Sequence, residues 1–164
     1  MTATVIPIEK MVREAIESAV SKVMHPEPLK VKLDENATAP VRAHQDDAGL
    51  DIMSAESVAV PSHDSMVVET GVHVQIPKGY VGLLTSKSGL MAKNGVTTRG
   101  TIDSGYTGSI KVVVFNDGGY PLFIKRGQKI TQLLVIPIAT PEVEIVDSLD
   151  ETDRGENGFG STGA

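Results

Sequence analysis

Between residues 8 and 24 the apolar side chains Ile8, Met11, Val12, Ala15, Ile16, Ala19, Val20, Val23 and Met24 return at alternating spacings of three and one. That period lies close to 3.6 and predicts an amphipathic helix. Pro7 can open it, Glu9 with Arg13 and Lys10 with Glu14 stand four apart, and Pro26 and Pro28 close it. Its apolar face is expected to pack on a neighbouring surface, with recruitment of a partner as the sharper alternative.

Beyond the Pro-rich joint at 26–28 the pattern changes. Short runs rich in Val, Ile, Thr and Tyr alternate with turn residues, which predicts strands at 29–34, 49–54, 56–60, 66–76, 80–86, 109–116, 121–125, 129–138 and 142–147. In Val72-His-Val74-Gln-Ile76 one face is apolar and the other polar. Many short strands at such spacing indicate an all-β domain of the sandwich, jelly-roll or barrel kind. The expected organisation is a helical extension over 1–28, a β domain over 29–150 and a flexible glycine-rich arm over 151–164.

Composition narrows the function classes. A chain of 164 residues is one domain with room for an extension, and the absence of cysteine removes disulfides, thiolate zinc sites and thiol nucleophiles. The net charge of −6 argues against broad binding to nucleic acid, although a few local cations can still hold a small anion. His25, His44, His63 and His73 have no metal-ligand spacing. With neither a membrane-length apolar run nor a signal-peptide pattern, a soluble cytoplasmic protein is expected.

Candidate chemistry sits in five places. Asp46-Asp-Ala-Gly-Leu-Asp51 opens a strand with three carboxylates, natural partners for magnesium or its waters, although such clusters are also ordinary turns. Thr85-Ser-Lys87-Ser88-Gly89-Leu90 is a strand end breaking into a loop with hydroxyls, a cation and a glycine, the ingredients of an oxyanion contact. Gly100-Thr101-Ile102-Asp103-Ser-Gly-Tyr106-Thr-Gly108 holds an acid able to act as general base on water and a tyrosine able to wall a pocket; the plain alternative is a hairpin with a surface Asp. Gln132 stands between apolar residues in a strand, where its amide needs partners from backbone or ligand. Arg154-Gly-Glu-Asn-Gly-Phe159-Gly160-Ser161-Thr162-Gly163 combines a planar cation, backbone donors and a flat apolar face. Gly158-Phe-Gly-Ser-Thr-Gly163 matches the dinucleotide pattern without a following helix, and Ser86 stands where a P-loop aligned on Lys87-Ser88 needs its second glycine. Neither reading is retained.

Taken together, these five segments in this order resemble the trimeric dUTP pyrophosphatase (dUTPase) family over residues 29–164. The resemblance implies a distorted jelly roll, a homotrimer whose active sites draw on three chains, and Mg²⁺ with dUTP as substrate. It implies that Asp103 activates the water that attacks the α-phosphorus and that Tyr106 packs on deoxyribose and excludes a 2′-hydroxyl. Gly100, Thr101 and Ile102, with Lys111, would frame uracil. Lys87, Ser88, Gly89 and Gln132 would hold the phosphates, and Asp51 would hold water ligands of Mg²⁺. Arg154 and the run Phe159, Gly160, Ser161 and Thr162 would close over γ-phosphate and base.

Three departures stand out. Lys87 replaces an arginine usual in the family, which exchanges a bidentate contact for a point charge. The 89–100 segment looks short, and Thr97 is the nearest counterpart of an asparagine that reaches the base. Gly105 occupies a position that is often aspartate. Alternatives are a dCTP deaminase-related enzyme, which would need a glutamate beside the base, and a regulatory binding protein of the same fold that uses the N-terminal helix.

Overall fold

The computed structural model describes residues 7–24 and 28–158. Helix α1 runs Ile8–Met24, as its periodicity predicts. Ile8, Met11, Val12, Ile16 and Val20 are all more than half exposed, so this face is not buried against the described residues of its own chain. No helix among the described residues is long and apolar enough to cross a membrane.

The β domain begins with β1 (Lys30–Leu33), β2 (Leu50–Met53), β3 (Val58–Val60), β4 (Asp64–Glu69), β5 (Val72–Gln75) and β6 (Tyr80–Ser86). A short helix α2 (Ser88–Asn94) follows, then β7 (Val96–Ile102), β8 (Lys111–Asn116), β9 (Leu122–Ile124) and β10 (Lys129–Pro137). Six strands form one sheet in the order β2-β10-β6-β7-β8-β4, flanked by the pairs β1-β5 and β3-β9. Every pairing is antiparallel. The all-β expectation of jelly-roll type therefore holds.

Alternation along the strands builds the core. Val72 and Val74 of β5, Val112 and Val114 of β8, Leu84 of β6 and Ile130 and Leu133 of β10 all lie inside one cluster with Ile52, Val68, Ile102 and Ile110. Each such side chain contributes about 1.5–3 kcal/mol by leaving water. The sheet is thus a rigid frame, and the loops at its two ends carry the polar chemistry.

Four sequence expectations change. The predicted 66–76 strand is two, β4 and β5, because Gly71 turns the chain at φ 62°. Residues 88–94 are helical rather than loop, and β7 was not predicted as a strand. The predicted strand at 142–147 is absent, and Val143 and Ile145 are 92% and 95% exposed. Its β-branched residues have strand propensity but pair with no strand among the described residues.

A divided candidate active site

One half of the candidate site gathers at the C-terminal end of β6. Asp51, on β2, is 3% exposed and receives ammonium groups on both oxygens: Lys129 Nζ lies 2.7 Å from Oδ2, and Lys87 Nζ bonds Oδ1. Gln132 Nε2 lies 3.4 Å from Oδ1. The register explains the convergence, since Gln132 sits opposite Asp51 on one side of β10 and opposite Thr85 on the other. Gly49 leaves the room this needs, because a Cβ there would come within 3.1 Å of Gln132 Cβ.

Burial works to raise the Asp51 pKa, but hydrogen bonds from Lys129, Lys87 and Gln132, with the Lys87 charge, outweigh it and hold the carboxyl below its ordinary value. A hydroxyl network underlies the cluster. Thr98 Oγ1 donates to Thr131 Oγ1 at 2.9 Å, Thr131 Oγ1 donates to the Thr85 carbonyl at 2.9 Å, and Ser86 Oγ bonds both the Thr98 carbonyl and amide. These bonds stitch β6, β7 and β10 together directly below Lys87 and Ser88. Ser88 and Gly89 open α2, and a Cβ built at Gly89 meets nothing within 4 Å, so this face is free for a ligand.

The other half lies at the far end of β7. Strands β7 and β8 pair only from Val96↔Asn116 to Arg99↔Val113. Beyond that point β7 stays with β6 through Gly100, Thr101 and Ile102, whereas β8 stays with β4 through Lys111 and Val112. The hairpin therefore parts at Gly100, leaving a slot between Gly100–Ile102 and Lys111–Val112. The connecting loop presents Asp103 and Tyr106 to solvent. Tyr106 folds back, its hydroxyl donating to the Ser109 carbonyl at 2.8 Å. Only glycine at 108 permits this, since a Cβ there would stand 2.5 Å from Tyr106 Oη.

Within one chain these halves do not meet. Gly82 pairs with Ile102, whereas Lys87 follows the end of β6 at Ser86. Asp103 and Lys87 are thus separated by about six residues of strand, or ~20 Å.

Other expected residues fall as follows. Thr97 lies in the closed part of the hairpin opposite Phe115, three residues before the slot opens, so it does not border the slot in its own chain. Lys111 stands at the slot edge with its ammonium 2.8 Å from Glu69 Oε1, a bond that raises its pKa. Arg154 is exposed, and its Nε donates to the Asn157 carbonyl at 3.0 Å within a local turn. Phe159, Gly160, Ser161 and Thr162 lie outside the described residues.

Magnesium fits poorly as a resident ion. Among the described residues no group of three or more His, Asp or Glu is arranged to hold a metal. Asp51, expected to reach Mg²⁺ through water and not as a direct ligand, has an ammonium on each oxygen. Within the chain the cluster anchors two lysines. Lys129 is the member that the sequence reading missed, because nothing local marks a residue 78 positions from its partner.

A curled antiparallel β domain thus carries a lysine cluster at one end of β6 and a parted hairpin at the other. Comparison with known proteins makes the class specific. The dUTPase family model matches residues 35–163. A deoxyuridine 5′-triphosphate nucleotidohydrolase of Clostridium novyi is 42% identical over 138 residues, 82% of this chain and 97% of that protein. One from Mycolicibacterium gilvum is 46% identical over 142 residues, 81% of this chain and 92% of that one. The Staphylococcus bacteriophage 80alpha dUTPase with dUpNHpp superposes with TM-score 0.79 at 37% identity, covering 84% of this chain and 99% of that chain. A phage phi11 dUTPase, whose structure is described as revealing the coordination of a structural Mg(II) ion, gives TM-score 0.70 at 37% identity over 74% of this chain and 98% of that one. The chain belongs to the dUTPase family.

Proposed function

We propose that this chain hydrolyses dUTP to dUMP and pyrophosphate, as a homotrimer in which each active site combines the hairpin slot of one copy with the phosphate cluster of another. The observation that carries this reading is the division of the candidate site. The parted hairpin and the lysine cluster lie ~20 Å apart at opposite ends of β6, too far for one nucleotide to bridge within one chain. A symmetric oligomer brings the two ends of neighbouring copies together. The exposed apolar residues of 142–149, among them Val143, Ile145 and Leu149, support it further, since a neighbouring copy would cover them.

The division of labour follows from chemistry. Uracil enters the slot between Gly100–Ile102 and Lys111–Val112, where freed backbone groups can pair with O2, N3–H and O4. Tyr106 lies against the deoxyribose, so that an added 2′-hydroxyl meets the ring. Lys87, Ser88, Gly89 and Gln132 hold the phosphates from a neighbouring copy, with Asp51 fixing Lys87 and Gln132 in place. Asp103 accepts a hydrogen bond from water and directs its lone pair at the α-phosphorus. The α-phosphorus bond to the bridging oxygen then breaks, pyrophosphate leaves, and the water's proton passes to Asp103. Magnesium enters as part of the substrate, chelated by the triphosphate, where it neutralises charge that repels the incoming oxygen. The arm from 151 onward, with Arg154 and Phe159–Thr162, closes over the γ-phosphate and base and excludes water. The reaction is taken to be cytoplasmic.

Pyrophosphate release measured across dUTP, dCTP, dTTP and UTP with Mg²⁺ tests the reading; strong preference for dUTP is expected. Ammonia from dCTP would instead support a deaminase. An Asp103→Asn protein should bind dUTP and lose turnover, and rapid hydrolysis by it would remove Asp103 from its role. A second role beside hydrolysis is supported by the exposed apolar face of α1, which suits a partner protein. Deleting residues 1–28 should then leave hydrolysis unchanged.

A further inference from the structure

The loop between β7 and β8 is held to the rest of the domain from one side. At its end, the Ile110 amide donates to the Val72 carbonyl at 2.8 Å and Thr70 Oγ1 donates to the Ile110 carbonyl at 2.7 Å. Its middle is held by His73 of β5, whose Nδ1 lies 2.8 Å from the Thr107 carbonyl oxygen. The other ring nitrogen, Nε2, faces the Asp34 carboxylate at 3.1 and 3.2 Å. Thr107 stands between Tyr106 and Gly108, so this contact sets the height of the loop at the tyrosine.

Both partners of His73 are acceptors. A carbonyl oxygen has no proton to give, and neither does an ionised carboxylate. A neutral imidazole carries one N–H and can satisfy only one of them; the imidazolium satisfies both. The charges around the ring are Asp34, just after β1, and Lys32, directly opposite in the β1-β5 register, with Asp103 and Tyr106 as the titratable groups of the loop itself. The Thr107 and Asp34 bonds raise the His73 pKa, against the opposing effects of desolvation and Lys32.

We propose that His73, as an imidazolium bridging Asp34 and the Thr107 carbonyl, is a positioning residue for the loop that carries Asp103 and Tyr106, and that its deprotonation loosens that loop. This rests on the dUTPase reading for its effect on turnover. The sign follows from linkage: a group whose folded pKa is raised supports the folded arrangement fully below its unfolded value of 6.5 and loses that support as pH rises through the folded value. A neutral ring has one N–H for two acceptors, so its proton is shared between them and the loop is held only in the tautomer protonated at Nδ1.

The test is the pH dependence of kcat/KM for dUTP in wild type, His73→Ala and Asp34→Asn. Ionisations of uracil and of the triphosphate are common to all three proteins and cancel in the ratios. The expected wild-type to His73→Ala ratio is about tenfold near pH 6, carried mainly in KM, and falls to within about twofold by pH 9. Asp34→Asn, which leaves β5 intact, should move the inflection to lower pH. Histidine ring titration by NMR, with the His73 signal identified by its loss in His73→Ala, should give a midpoint above 6.5 and carry the Thr107 and Gly108 amide shifts with it. A ratio independent of pH, or a His73 midpoint at or below 6.5, would overturn the proposal. Wild type inactive on dUTP would instead sink the dUTPase reading, and the NMR titration would still decide the His73 bridge.

Discussion

Substituting Gly108→Ala adds one methyl group where Tyr106 folds back. The new Cβ would stand 2.5 Å from Oη, 2.6 Å from Cζ and 3.0 Å from Cε2. Ordinary carbon contacts lie near ~3.5 Å, so the ring must swing away by about 1 Å. The swing gives up the 2.8 Å bond from Tyr106 to the Ser109 carbonyl. That bond is worth about 1 kcal/mol at most, and less here because Tyr106 is 43% exposed. For a chain of this size the expected fall in Tm is at most about 2–4 °C. If Tyr106 lies against the sugar as proposed, the functional effect is larger, because displacing that wall by about 1 Å costs on the order of 10²-fold in rate. Discrimination against UTP should fall with it, since the ring no longer blocks a 2′-hydroxyl. Scanning calorimetry together with pyrophosphate release on dUTP and UTP measures both sides. Tyr106→Phe serves as control, keeping the ring and losing only the hydroxyl bond, and should retain most selectivity. If Gly108→Ala leaves kcat/KM on both nucleotides unchanged, Tyr106 does not select the sugar from this position.

Asp51→Asn should lower stability at neutral pH by about 2 kcal/mol, discounted from the full buried-pair value because Lys129 remains half exposed. The depressed Asp51 pKa means that its contribution is present above the ordinary value of 3.8 and lost as pH falls through the folded value. Tm measured from neutral to strongly acidic pH should therefore show a shallower acid limb in Asp51→Asn than in wild type, and superimposable limbs would contradict the lysine anchor. A chain ending at Asp153 should fold with an unchanged Tm and lose hydrolysis by orders of magnitude; unchanged turnover would show that the arm does not close the site.

Legibility differed among the elements for physical reasons. Strands β6 and β10 were readable because Tyr80–Ser86 and Lys129–Pro137 are apolar enough to mark buried strands without help from a partner. Strand β7, Val-Thr-Thr-Arg-Gly-Thr-Ile, is dominated by polar residues and glycine, and it is a strand because β6 and β8 enclose it. Helix α2, at seven residues, is too short to show a period, and Gly89 weakens even that. Val143, Ile145 and Val146 misled in the opposite direction, since strand propensity needs a partner strand to be realised. Of the candidate site residues, Asp51, Lys87, Asp103, Tyr106 and Gln132 stand out in the sequence as polar residues in unusual company. Lys129, Thr98, Thr131 and His73 do not, because their roles arise from registers between distant strands.

Mixing two inactive proteins tests the division of the site most directly. Asp103→Asn disables the slot half, Gln132→Ala the phosphate half, and each protein alone should be nearly inactive. Co-refolded at equal amounts, random assembly gives each site an intact slot from one copy and an intact cluster from another in about one case in four. Recovery of about a quarter of wild-type dUTP hydrolysis is the expected result. A mixture no more active than its parents would place both halves of the site within one chain and contradict the account.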